Sequence, residues 1–320
     1  MFRGMQEVVV SVWNMERLRS TLMDIGRWSA HPLPDAPPEQ FAAWQMPGGC
    51  TRIEQSLLMP EDDERGFIRL VRFHGLEAEP MRPSQHTWDS GGIFDINVYV
   101  KDAQATYDAL QRVGWTALGP PTDYHLADFS IRQAVTVGPD GVVIVLLQAY
   151  GKVLIELPHY TGMSRTFNAL QIVRDYDVSF DFFVNGLGWK PLVETVVEDA
   201  EEPGRNMLGI PANIARGLRR RVSILHPEGT NDGSVQILEI RGLEGSDFAS
   251  RCLAPNVGYL CARFPVADAA AYADELRGRD VVPYTEPSKL FVAPYGAVTL
   301  FSVRTPDGAI LEFYTTSDSA

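Results

Sequence analysis

The chain has 320 residues, 45% of them hydrophobic, and a formal net charge of −13 at pH 7. That is long enough for two domains with a core each, and the acidic balance argues against a nucleic-acid backbone or an anionic membrane as the main partner, while leaving room for a local basic cluster to bind a small anion. Cys50, Cys252 and Cys261 lie far apart and form no CxxC pair, so neither a disulfide framework nor a thiolate zinc site is indicated, and a reducing compartment is expected.

The N-terminal MFRGMQEVVVSVWNM has only a short apolar run with no small-residue cleavage site behind it. No stretch approaches the ~20 apolar residues of a membrane span, which reads as a soluble cytoplasmic protein. Glu7 to Trp13 is rich in β-formers, and Asn14 then caps a predicted helix with Leu18, Leu22 and Ile25 at helical spacing. Ser29 to Gly49, rich in Pro, Ala and Gly, is expected to be an irregular connection. Thr51 to Met59 and Gly66 to Phe73 read as strands around the acidic turn Glu61-Asp-Asp-Glu64. Strand and helix recur at Phe94 to Val100 with Asp102 to Val113, at Ala169 to Val173 with Asp175 to Asn185, and at Tyr259 to Phe264 with Asp268 to Arg277. The cap residues Asn14, Asp102, Asp175 and Asp268 are spaced by 88, 73 and 93 residues, an imperfect fourfold repeat.

The last three units also close with a turn and a strand. Pro139-Asp-Gly141 precedes Val142 to Gln148, Asp232-Gly233 precedes Val235 to Ile240, and Pro306-Asp-Gly308 precedes Ile310 to Tyr314. In the last of these, strand periodicity puts Glu312 on one face with Ile310 and Tyr314, so its carboxylate points either into a cavity or onto a solvated face.

Asp175-Tyr-Asp-Val-Ser-Phe-Asp-Phe-Phe183 with Gly186-Leu-Gly-Trp189 resembles the helix-one signature of the vicinal oxygen chelate superfamily. Pro306-Asp-Gly-Ala-Ile-Leu-Glu312 resembles its terminal metal-binding strand. The resemblance implies an α+β protein of four βαβββ modules paired into two curved mixed-sheet half-barrels. Modules one and two would form an N-terminal glyoxalase-like domain (residues 1–155) and modules three and four a C-terminal one (163–320), with Leu157 to Met163 as the linker. The layout is similar to that of extradiol ring-cleaving dioxygenases.

The resemblance also implies a divalent metal held by side chains from the first and last strand of each module. The first-strand slot, seven residues before each cap, holds Glu7, Asp95, Asn168 and Cys261. The last-strand slot holds Glu312 in module four and Val145 in module two, with Glu239 as the counterpart in module three. None of the six histidines falls in a slot, so the ring-cleavage reading loses two of its three ligands. Glu312, Glu239 and Asn168 are the candidate oxygen ligands for a divalent metal. Without one, Glu312 and Glu239 are a candidate proton-transfer pair of the kind isomerases and lyases use. A rim salt bridge with Arg241 is the alternative for Glu239, and a core thiol the alternative for Cys261.

Asn168, Cys261, Tyr259, Tyr295 and Tyr314 are expected to line the C-terminal cleft. Arg219, from the basic run Arg216-Gly-Leu-Arg-Arg-Arg221, is expected to steer an anionic group toward it. Glu7 and Asp95 are expected to face each other across an N-terminal cleft that acts mainly as scaffold. Two functions follow: a glyoxalase-like isomerase or lyase binding a hydrophobic, oxygen-bearing small molecule, or a non-catalytic binding protein of the bleomycin-resistance kind. The expected partner is a small molecule, with no nucleic acid and no membrane; a homodimer is the assembly considered.

Overall fold

The four cap residues that mark the repeat all act as caps. In the computed structural model each is extended, and its side-chain oxygen accepts from a backbone N–H two or three residues on: Asn14 from Glu16 at 2.9 Å, Asp102 from Ala105 at 2.9 Å, Asp175 from Val178 at 3.1 Å and Asp268 from Ala271 at 3.0 Å. The structure describes residues 4–126, 129–151, 153, 155, 157, 159–198, 208–215 and 217–317.

Module one comprises β1 (Glu7–Ser11), α1 (Met15–Asp24), β2 (Ser29–Leu33), α2 (Pro38–Ala43), β3 (Arg52–Met59) and β4 (Phe67–His74). Module two comprises β5 (Asp95–Tyr99), α3 (Ala103–Arg112), β6 (Thr116–Ala117), β7 (Thr122–Leu126), β8 (Phe129–Val137) and β9 (Val143–Ala149). Module three comprises β10 (Asn168–Ile172), α4 (Tyr176–Asp181), β11 (Lys190–Glu198), α5 (Ala212–Ala215), β12 (Arg219–His226) and β13 (Ser234–Arg241), with a π-helical turn (Phe182–Gly186) continuing α4. Module four comprises β14 (Gly258–Pro265), α6 (Ala269–Arg277), β15 (Thr285–Val292), β16 (Gly296–Arg304) and β17 (Ile310–Thr316). The segment 29–49, expected to be irregular, thus contains a strand and a short helix.

The α+β class and the modules agree with the sequence reading; the pairing of modules does not. One sheet of eight strands runs β15-β16-β17-β14-β1-β4-β3-β2 and joins module four to module one. The other, of nine, runs β11-β12-β13-β10-β5-β9-β8-β6, with β7 on β8, and joins module three to module two. The seams are antiparallel pairs of first strands, β1 on β14 and β10 on β5. Modules two and three are therefore nested between one and four, and a division at residues 155–163 would cut across both sheets. The tandem repeat leaves this choice open, because all four first strands are buried and similar enough to mate with one another.

The helices and the outer faces of both sheets share one core. Leu18 and Leu22 of α1, Leu110 of α3, Phe183, and Tyr272 and Leu276 of α6 pack with Val8 and Ile68 of one sheet and Ile96 and Ile237 of the other. Asp307 fastens the third and fourth modules by accepting from the Arg174 amide at 2.9 Å and the Ser179 hydroxyl at 2.7 Å. The turn that places it needs Gly308, whose φ is 82° and where a Cβ would meet Ala249 at 2.8 Å.

A fragment of residues 1–157 would leave the first strands of modules one and two without their mates. It is expected to show no cooperative thermal transition by circular dichroism alone and to regain one on coexpression with residues 158–320. A sharp independent melt of the fragment would contradict the nested pairing.

Candidate ligand site in the half-barrel of modules one and four

Because module one pairs with module four, the concave face of that sheet collects the slots Glu7, Cys261 and Glu312. In the parallel registers Arg263 sits beside Glu312 and Val9 beside Arg69, so Arg69 is the module-one counterpart of Glu312. Arg263 lies opposite Glu7. Four charged side chains, each no more than 1% exposed, follow one another in the order Glu312, Arg263, Glu7, Arg69.

Each is held by its neighbours. Arg263 donates from Nε to Glu312 Oε2 at 2.7 Å, and its Nη2 lies 2.6 Å from the same oxygen without the alignment of a hydrogen bond. Arg263 Nη1 donates to Glu7 Oε1. Arg69 donates from Nε to Glu7 Oε1 at 2.8 Å and from Nη2 to Oε2 at 3.1 Å, a two-pronged pair. The remaining Arg69 bonds go to Gln55 Oε1 at 3.0 Å and the Ala293 carbonyl at 2.7 Å. Tyr295 donates to Glu7 Oε2 at 2.7 Å, and the Trp44 indole donates to Glu312 Oε1 at 2.7 Å. The ring of Tyr295 stacks on Tyr314 at 5.1 Å.

Burial opposes the ionised form of Glu7, but the charges of Arg69 and Arg263 and the bonds from Arg69 and Tyr295 outweigh it and hold the carboxyl below its ordinary value. Burial also opposes the charge on Arg263, and Glu312 and Glu7 more than offset it, so the guanidinium keeps its proton. The Cys261 thiol is pushed well up, first by burial and then by the negative charge of Glu312, and is a neutral core thiol rather than a nucleophile.

Four residues expected in or beside one C-terminal cleft are dispersed by the pairing and by strand parity. Asn168 lies in the other half-barrel, where its Oδ1 accepts from Asn97 at 3.1 Å and its Nδ2 donates to Ser234 at 2.7 Å. Glu239 sits on the helix-facing side of β13, accepting from the Tyr176 amide at 3.3 Å and from Arg241 at 2.8 Å. The residue in register with the slot strand there is Gln236, opposite Leu170. Tyr259 is turned off the concave face because β14 carries one extra residue, Leu260, between the partners of Val9 and Val10. Its hydroxyl donates instead to the Val143 carbonyl of the other sheet at 2.6 Å. Arg219 is exposed, alternating with the buried, inward Arg220. Of the basic run around it, Arg216 lies outside the described residues. Asp95 does not face Glu7; it shares the concave face of the second half-barrel with Asn97, which donates to it at 3.1 Å. Arg69, Arg263 and Trp44 are the members of the site that slot counting missed.

Neither donor set suits a metal. Among the described residues no three of His, Cys, Asp and Glu come together as a metal-binding group. In the first half-barrel a guanidinium stands in one slot and a second lies between the two carboxylates; in the second the slots are Asp95, Val145, Asn168 and Gln236.

Paired βαβββ modules with such inward slots define the vicinal oxygen chelate fold, and this chain has it. No protein-family model and no curated protein matches the sequence. Among solved structures, glyoxalase I from Zea mays superposes with a TM-score of 0.65 at 13% identity, covering 98% of this chain and 93% of that one. A putative dioxygenase from Bacillus subtilis gives 0.58 at 9% identity, covering 99% and 86%. At these identities the likeness is one of fold. Among the described residues no helix is long and apolar enough to cross a membrane.

Two substitutions test the electrostatics. Glu7→Gln takes the carboxylate from Arg69 and leaves Arg263 with Glu312, and is expected to cost about 3–5 kcal/mol of stability at pH 7, the scale of a broken buried pair. Since the folded state lowers the Glu7 pKa, its contribution is present above the ordinary value of 4.5 and lost as pH falls below it, so the variant should flatten the acid limb of a stability-versus-pH curve. Burial pushes Asp95 the other way, to about 8, against the Asn97 bond and the Arg82 charge. The folded state then binds a proton that the unfolded state releases, and stability falls as pH rises from 3.8 to about 8. Asp95→Asn should remove that fall, giving a higher melting temperature than wild type at pH 8; an equal or lower one would show that Asp95 ionises freely.

Proposed function

We propose that the chain is a metal-independent small-molecule-binding protein built on the vicinal oxygen chelate fold, with its ligand site in the half-barrel of modules one and four. The carrying observation is the buried alternation Glu312, Arg263, Glu7, Arg69 where inward ligand slots converge. The two guanidinium groups supply the positive charge that a metal would bring, and they are covalently part of the chain. General-base chemistry finds little support there. Both oxygens of Glu312 already accept from Trp44 and Arg263, and Glu7 is held ionised with both oxygens engaged. The reading thus favours binding over the isomerase or lyase alternative.

The protein is to be incubated with Zn²⁺, Ni²⁺, Mn²⁺ and Fe²⁺, desalted, and its metal content measured by mass spectrometry alongside Glu312→Gln. Substoichiometric metal in both, with a melting temperature unmoved by chelator, is the expected result. One equivalent of metal in wild type that is lost in the variant would overturn the reading.

A further inference from the structure

The segment between β2 and β3 crosses the concave side of this half-barrel as a strap. Its ends carry Pro34, Pro37 and Pro38 on one side and Gly48 and Gly49 on the other. Residues 34–36 follow β3 through Gln55 to the Pro34 carbonyl at 3.1 Å and the Ala36 amide to the Ile53 carbonyl at 2.9 Å. Within it, α2 has six residues and no side-chain cap at its N-terminus. One helical face points inward. Ala43 joins the cluster of Leu290, Leu300 and Tyr314, while Trp44, 4% exposed, joins Val9, Ile53, Val71, Cys261 and Ile310. The indole meets Phe73 edge-on at 5.9 Å and ends on Glu312 Oε1.

Gln40 lies one turn before Trp44 on the same inward face. Its side chain is 1% exposed, and neither Nε2 nor Oε1 has a hydrogen-bond partner among the described residues. A buried amide with both ends unpaired opposes the closed position, and opening the strap returns it to water. One face of the strap thus carries a contact that closes it and a group that loosens it.

We infer that Trp44 is a built-in occupant of the ligand position, and that the ligand is a planar aromatic molecule with one N–H or O–H donor, which displaces the indole and donates to Glu312 Oε1 in its place. The shape of the slot and its single polar end are those the indole now satisfies: apolar walls, an aromatic edge, and one carboxylate oxygen whose charge is already balanced by Arg263. A neutral indole- or phenol-like compound meets these terms, whereas an added carboxylate would face Glu312. This inference rests on the half-barrel being the ligand site, and a stoichiometric metal there would sink that reading whatever the strap does.

The test uses indole and 1-methylindole, which has nearly the same shape and no donor. In wild type, millimolar indole is expected to speed hydrogen exchange of the backbone amides of residues 38–46 by about tenfold or more, with 1-methylindole leaving it unchanged. Trp44→Ala, freed of the competing side chain, should bind indole at least about tenfold more tightly than wild type by calorimetry. Gln40→Leu, which keeps Trp44, should slow strap exchange and raise the melting temperature. That variant carries the test if Trp44→Ala does not fold. Indole binding to Trp44→Ala with no response of the wild-type strap would make Trp44 a plain core residue and overturn the inference. Equal action of 1-methylindole would overturn the donor requirement, and unchanged exchange in Gln40→Leu would overturn the role of Gln40 in loosening the strap.

Discussion

The half-barrel of modules one and four depends on keeping four charges inside it. Removing a carboxylate or a guanidinium from water costs several kcal/mol after relaxation, and only close, well-directed partners recover it. Glu7 is the hinge of the arrangement, since it alone accepts from both guanidinium groups and from the Tyr295 hydroxyl. Glu312 shares one oxygen with Arg263 and turns the other to the strap. The row crosses the seam between β1 and β14, so the electrostatics of the cleft and the joining of the first and last modules are one constraint.

The second half-barrel fills its slots without a row of ion pairs. Its slot residues Asp95 and Asn168 are chained with Asn97 and Ser234 through amide and hydroxyl bonds, and its concave face is packed with Leu208, Ile210, Ala215 and Ile155. A carboxyl so deeply buried is driven toward its neutral form even against the Arg82 charge, which is the direction found for Asp95. The two clefts thus show two ways of filling equivalent inward positions: balanced ions in one, and an amide network under an apolar plug in the other.

Local features were legible in the sequence because they depend on neighbours in the chain. The cap residues announced the four helices, and the Pro306-Asp-Gly308 turn set the register that points Glu312 inward with Ile310 and Tyr314. Module pairing was not legible, since four similar buried strands carry nothing that names a mate. Its misreading moved Asn168 and Asp95 into the wrong clefts. Glu239 was misplaced through parity, lying an odd number of residues from Gln236, and Tyr259 through the extra residue Leu260. Arg69 and Arg263 did leave a signal. Each interrupts an otherwise apolar strand, in Phe67-Ile-Arg-Leu-Val71 and Leu260-Cys-Ala-Arg-Phe264, and an arginine in such a run calls for a buried carboxylate.

Nesting also fixes when the site can exist. Arg263 and Glu7, which meet across the β1–β14 seam, are 256 residues apart in the chain. Closing so long a loop adds little equilibrium cost beyond a medium one, because the entropy grows only with the logarithm of length, but contacts of this separation form late and slowly. On the ribosome, β1 and β4 emerge well before β14, the mate of β1, which follows only after modules two and three. Until then Glu7 has Arg69 but neither Arg263 nor Tyr295. The cleft is therefore completed by module four, and a polypeptide released before it lacks Glu312 and with it the acceptor on which the strap closes.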